Sequence, residues 1–100
     1  MAAHAAPLAS MDFEVFGKVQ GVFFRKHTRQ EAMRLGLVGW VRNTERHTVE
    51  GRAQGPPDRT EQLKVWLSTK GSPKSRITRA EFSSERTVEK AEYSDFRVVK

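Results

Sequence analysis

Met11-Asp12-Phe13-Glu14-Val15-Phe16 runs directly into Gly17-Lys18-Val19-Gln20-Gly21-Val22-Phe23-Phe24-Arg25. The first six residues alternate apolar and polar side chains, which predicts a strand. From Phe24 the period changes. Phe24, Thr28, Ala32 and Leu35 step by four, four and three, gathering on one helical face and leaving Lys26, Arg29, Gln30 and Arg34 for water. Gly36 stands where such a helix ends in the left-handed conformation. A strand therefore passes through a short loop bracketed by glycines into a helix with Arg25 in its first turn. Glycines let consecutive N–H groups turn toward one point, a concavity suited to anions. The helix start adds unpaired N–H groups and the positive end of a dipole, and a guanidinium fork matches phosphate oxygens. The loop has neither the dinucleotide-binding spacing nor the P-loop spacing. From these residues alone it stands as a phosphate cradle or as a plain strand–helix junction.

Outward from that stretch, Leu37 to Asn43 reads as a second strand, with Val38 and Trp40 on one face and Gly39, Val41 and Asn43 on the other. Thr48 to Gln54 reads as a third, and Thr44-Glu45-Arg46-His47 between them fits a hairpin turn. One-sided alternation of this kind suits an antiparallel sheet with one wet face. Gln54-Gly55-Pro56-Pro57 breaks the pattern, and Asp58 followed by Glu61 predicts a capping box with Asp58 as N-cap. Leu63, Trp66 and Leu67 form the stripe of a second helix, which Gly71 and Pro73 end. Ser75 to Ser84 reads as a fourth strand and Tyr93 to Lys100 as a short fifth; Glu85 to Glu92 is polar and carries no assignment. The order predicts an α+β ferredoxin-like two-layer sandwich (βαββαβ), with two helices on one face of a four- to five-stranded antiparallel sheet.

A chain of 100 residues makes one domain. Residues 1–10 lack the basic start and apolar centre of a signal peptide and read as a disordered tail, leaving 11–100 as the domain. The chain has no cysteine, which excludes disulfides, thiolate metal sites and cysteine nucleophiles. No run is long enough to span a membrane. Eighteen basic residues against 12 acidic ones give a net charge of +6, spread through the sequence rather than gathered in a block. His4, His27 and His47 are scattered without paired acidic spacing, so no metal site is expected.

Val15 to Arg25 resembles the first signature of the acylphosphatase family. Gly36-Leu37-Val38-Gly39-Trp40-Val41-Arg42-Asn43-Thr44, followed by Thr48-Val49-Glu50-Gly51, resembles the second, and Glu92-Tyr93-Ser94-Asp95-Phe96 is similar to the family's C-terminal part. The resemblance implies the same ferredoxin-like fold, and hydrolysis of acyl phosphates to a carboxylate and inorganic phosphate without metal or cofactor. It implies that the backbone of Gly17, Lys18, Val19, Gln20, Gly21 and Val22, with Arg25, holds the phosphate. Asn43 would orient the attacking water and Thr44 would support the site. A cytoplasmic monomer is expected, with a small acyl phosphate as substrate, inorganic phosphate as product and inhibitor, and neither nucleic acid nor membrane as partner. One departure falls at His47, where relatives usually carry glycine. The alternative is a non-catalytic ferredoxin-like module that binds anions or RNA, although the glycine–aromatic motif of such RNA binders is missing.

Overall fold

In the computed structural model, which describes residues 7–100, the alternating stretch lies within an 11-residue strand, β1 (Leu8–Lys18). There follow α1 (Phe24–Arg34), β2 (Val38–Asn43), β3 (Val49–Gly55), α2 (Pro57–Thr69), β4 (Arg76–Val88) and β5 (Phe96–Val99). The five strands form one sheet in the order β4-β1-β3-β2-β5. Inward-facing Met11, Phe13 and Val15 of β1, Val41 of β2, and Val49 and Ala53 of β3 are buried in a single core. α1 lies over β2 and β5, and α2 over β1 and β4. The predicted stripes do the covering: Phe24, Thr28, Ala32 and Leu35 from α1, and Leu63 and Leu67 from α2, are buried, with Trp66 packed 5.8 Å from the Phe24 ring. The two-layer ferredoxin-like arrangement is as the pattern predicts. No helix among the described residues is long and apolar enough to cross a membrane.

Three local expectations change. β1 begins at Leu8, inside the stretch read as tail: Ala9 and Ser10 pair with Gly55 and Gln54, and Leu8 with Val88. Ser10 is buried and its hydroxyl accepts from Gln54 Nε2 at 3.0 Å. Residues 1–6 of the expected tail lie outside the described residues. The sheet is mixed rather than wholly antiparallel, because β5 pairs parallel with β2. The cause is topological. β4 runs opposite to β2, so a chain that leaves the end of β4, passes along that end of the sheet and turns back runs in the direction of β2. β4 also continues through Glu85 to Val88, where Arg86, Thr87 and Val88 pair with Ser10, Ala9 and Leu8.

The third change is at the start of α2. Its N-cap is Pro56, with Pro57 as the first helical residue and no capping side chain. Asp58 therefore lies inside the first turn instead of capping it. Proline at the first helical position has its φ preset and lacks the N–H that would go unpaired, and it holds the residue before it extended. Asp58 still complements the helix dipole from there. α1 ends as expected: Leu37 N–H donates to Ala32 O at 2.8 Å and Gly36 N–H to Met33 O at 3.0 Å, with Gly36 at φ 72°.

His47, at the tip of the β2–β3 hairpin, has φ 63°. Left-handed backbone costs a non-glycine residue about 1 kcal/mol relative to glycine. His47→Gly is expected to raise the melting temperature by roughly 4–8 °C, the shift such a gain gives a domain of this size, with no change in turnover. Thermal unfolding followed by circular dichroism checks it; an unchanged or lower melting temperature would show that the turn is not strained.

Candidate active site

The loop between β1 and α1 meets the ends of β2 and β5 at one end of the sheet. There Val19, Gly21, Arg25 and Asn43 line a cavity of about 310 Å³. Phe23, Phe24, Lys26 and Val98 complete its wall. The loop is bent by two left-handed residues, Gly21 at φ 75° and Phe23 at φ 57°. Phe23 is the N-cap of α1 yet supplies no capping hydrogen bond, and the first turn holds no acidic residue. The first helical hydrogen bond runs from His27 N–H to Phe23 O at 3.1 Å. The N–H groups of the three residues before His27 thus start the helix without a side-chain acceptor.

Charge accumulates where a helix alone would not want it. Arg25 and Lys26 sit at the positive end of the α1 dipole, an arrangement that disfavours cations. Among the described residues no carboxylate pairs with either. Two unpaired cations and three free N–H groups at one wall make a site with standing affinity for a multiply charged anion.

Asn43 closes the opposite strand end. Its Oδ1 is buried and has no hydrogen-bond partner. An unpaired buried acceptor costs about 1–3 kcal/mol, so its persistence points to a use. A half-turn of the carboxamide exchanges oxygen and nitrogen with almost no change of shape, which gives the cavity either an acceptor or a donor.

Other residues of the predicted set lie elsewhere. Gly17 and Lys18 belong to β1 and pair with Ile77 and Arg76 of β4 across a register shift. A side chain at Gly17 would strike the Arg76 carbonyl, so the strand contact requires glycine there. Val22 is buried and forms none of the cavity wall. Gln20 ties the loop to the hairpin, its Nε2 donating to Thr44 O at 3.1 Å and to Thr48 O at 2.9 Å. Thr44 and Thr48 hydroxyls meet at 2.6 Å, and Thr48 Oγ1 donates to Glu14 Oε2 at 2.6 Å. Thr44 is therefore placed behind the cavity, in a network that fixes the strand end carrying Asn43. The sequence does not single out Phe23, Phe24, Lys26 or Val98 as site residues. The first three flank Arg25, which is the available signal; Val98 reaches the site only through the parallel pairing of β5.

The Thr48 hydroxyl, and then Arg46, hold the Glu14 carboxyl below its ordinary 4.5 against the opposing effect of burial. A lowered folded pKa contributes stability that is fully present above 4.5 and is lost as pH falls through the lowered value. Glu14→Gln should thus be less stable than the parent at pH 7, and the two melting curves should converge as pH drops below 4.5. A constant difference between them down to strongly acid pH would show that the Glu14 charge does not hold the network.

A larger groove of about 640 Å³ lies over the open face of the sheet. Glu14 stands directly between Glu50 and Glu81 on the neighbouring strands, and Asp12 lines the same groove. Each of these carboxylates is already paired with an arginine, Asp12 with Arg52, Glu14 with Arg46, Glu50 with Arg42 and Glu81 with Arg79. The groove's cations are thus committed, and the smaller cavity, with Arg25 and Lys26 unpaired among the described residues, is the better anion site.

Comparison with known proteins gives a consistent result. The Acylphosphatase family model matches residues 11–98. Acylphosphatase-1 of Homo sapiens is 57% identical over 93 residues, 93% of this chain and 94% of that protein. Acylphosphatase-2 of Mus musculus is 55% identical over 98 residues, 98% of this chain and 92% of that protein. Among solved structures, an acylphosphatase from Coxiella burnetii matches with a TM-score of 0.86 at 37% identity, covering 99% of this chain and 100% of that one.

Proposed function

The chain belongs to the acylphosphatase family, and from that premise we propose that it hydrolyses acyl phosphates to a carboxylate and inorganic phosphate in the cavity shared by Arg25 and Asn43. The observation that carries this reading is the meeting of three features in about 310 Å³: an unpaired guanidinium, an uncapped helix start and a buried carboxamide oxygen without a partner.

An acyl phosphate is already activated, since a carboxylate leaves readily. Positioning and charge stabilisation are then enough. The phosphoryl group lies against Arg25 and the loop N–H groups; the latter are fixed by the backbone before the reaction and stabilise charge on its oxygens without reorganising. Asn43 accepts a hydrogen bond from water and aims it at phosphorus. An amide takes no proton near neutral pH, so the water's proton passes to a phosphoryl oxygen of the substrate. As the new P–O bond forms, the bond from phosphorus to the acyl oxygen breaks and the carboxylate departs. Every role falls to the chain's own groups, and no step calls on a metal or cofactor. With the family resemblance, we take the chain to act as a cytoplasmic monomer on a small substrate.

The RNA-binding alternative would use the open sheet face, but the arginines there are committed to ion pairs with Asp12, Glu14, Glu50 and Glu81 and leave few free cations for a phosphate backbone. Incubation with benzoyl phosphate separates the two. Turnover that inorganic phosphate inhibits competitively supports hydrolysis; no turnover together with salt-sensitive RNA binding would replace it.

A further inference from the structure

Phe23 is an expensive residue for the fold. Its side chain is 73% exposed and its backbone is left-handed at φ 57°, a conformation that is costly for a bulky side chain. Glycine or asparagine would relieve the backbone, and the exposed ring contributes almost nothing to the core. The other strongly exposed apolar side chains, Met33 and Val65, lie within regular helix and show no such strain. Phe23 alone among them lines the cavity that holds Arg25 and Asn43. Lys26 Nζ stands 5.9 Å from the centre of its ring, a cation–aromatic contact that helps to fix the ring's orientation. Val98 adds a second apolar surface to the same cavity.

We infer that Phe23 is a specificity-determining residue whose ring, with Val98, forms an apolar shelf for the acyl group of the substrate. The inference rests on the hydrolase reading and adds to it a substrate class: acyl phosphates with extended apolar or aromatic acyl chains. An acyl phosphate has one charged end and one end of variable polarity. With the phosphoryl group against Arg25, the acyl chain must run along the part of the wall that carries no charge. Phe23, Phe24, Val19 and Val98 supply that part, and only Phe23 of these is exposed. The shelf touches the leaving group and not the phosphorus, so it acts on ground state and transition state alike and appears in KM more than in kcat.

The test compares acetyl phosphate with 3-phenylpropanoyl phosphate, whose carboxylates are of nearly equal basicity, so that intrinsic reactivity is held constant. The parent protein should show a KM for the phenylpropanoyl compound roughly tenfold below that for acetyl phosphate. Phe23→Ala should remove most of that preference, raising the phenylpropanoyl KM several-fold more than the acetyl phosphate KM. Phe23→Tyr should restore the preference, which a purely structural role in the loop would not require. Loss of both activities by the same factor in Phe23→Ala, or no preference in the parent, would overturn the shelf while leaving hydrolysis intact. Failure of the parent to hydrolyse either compound would overturn the hydrolase reading and the shelf with it.

Discussion

Arg25→Gln is expected to lower kcat/KM for an acyl phosphate by about 10³-fold or more, the range seen when a charge-stabilising donor or an arginine at a phosphoryl group is removed. Inorganic phosphate should bind correspondingly worse, because the same guanidinium grips substrate and product. Stability should move the other way. Arg25 makes no ion pair among the described residues and sits at the positive end of α1 with Lys26 beside it. Removing its charge relieves an unfavourable dipole interaction of about 0.3–1 kcal/mol. The variant should therefore melt no lower than the parent while losing activity. Arg25→Lys keeps the charge without the planar fork and should recover only part of the rate. Steady-state kinetics and thermal unfolding on the same preparations check all three statements. Near-parental kcat/KM in Arg25→Gln would remove the arginine from the site.

Asn43→Ala carries the second large effect, and its signature differs. Here kcat should fall roughly 10²–10³-fold, while the inhibition constant of inorganic phosphate stays within about threefold of the parent. The amide contributes aim, not grip. The fold should tolerate the change, since Asn43 is the last residue of β2 and its buried oxygen has no partner to lose. Asn43→Asp makes a useful contrast, because a carboxylate in that place would repel the phosphoryl group and weaken phosphate binding as well as turnover. Asn43→Ala with parental kcat would contradict the water-positioning role.

What could be read beforehand follows from how local each signal is. Phe24, Thr28, Ala32 and Leu35 declare α1 because their spacing is itself the cause of their common burial. The glycines of the loop and the adjacent Arg25 are likewise a local signal, and the cavity forms around them. Leu8 to Ser10 carry no strand pattern of their own; their conformation is imposed by β3 and β4 pairing on either side. Glu85, Arg86 and Thr87 are polar because they lie on an edge strand, where alternation has little to report. The direction of β5 is a property of the chain's path and of no residue within it. Gln20 was placed among the phosphate-binding residues by its position in the loop. Its acceptors, Thr44 O and Thr48 O, lie on a hairpin that only the folded chain brings near. Gly17 has a second reason to be glycine that the sequence does not show: a side chain there would strike the backbone of β4.

A crystal of the protein soaked in inorganic phosphate would test the central assignment most directly. The ion should lie in the Arg25 cavity, with its oxygens about 2.7–3.2 Å from the guanidinium and from N–H groups at the start of α1, and with an ordered water between it and the Asn43 carboxamide. Phosphate bound only at other basic surfaces, or bound beside Arg25 with the Asn43 side chain turned out of the cavity, would contradict it.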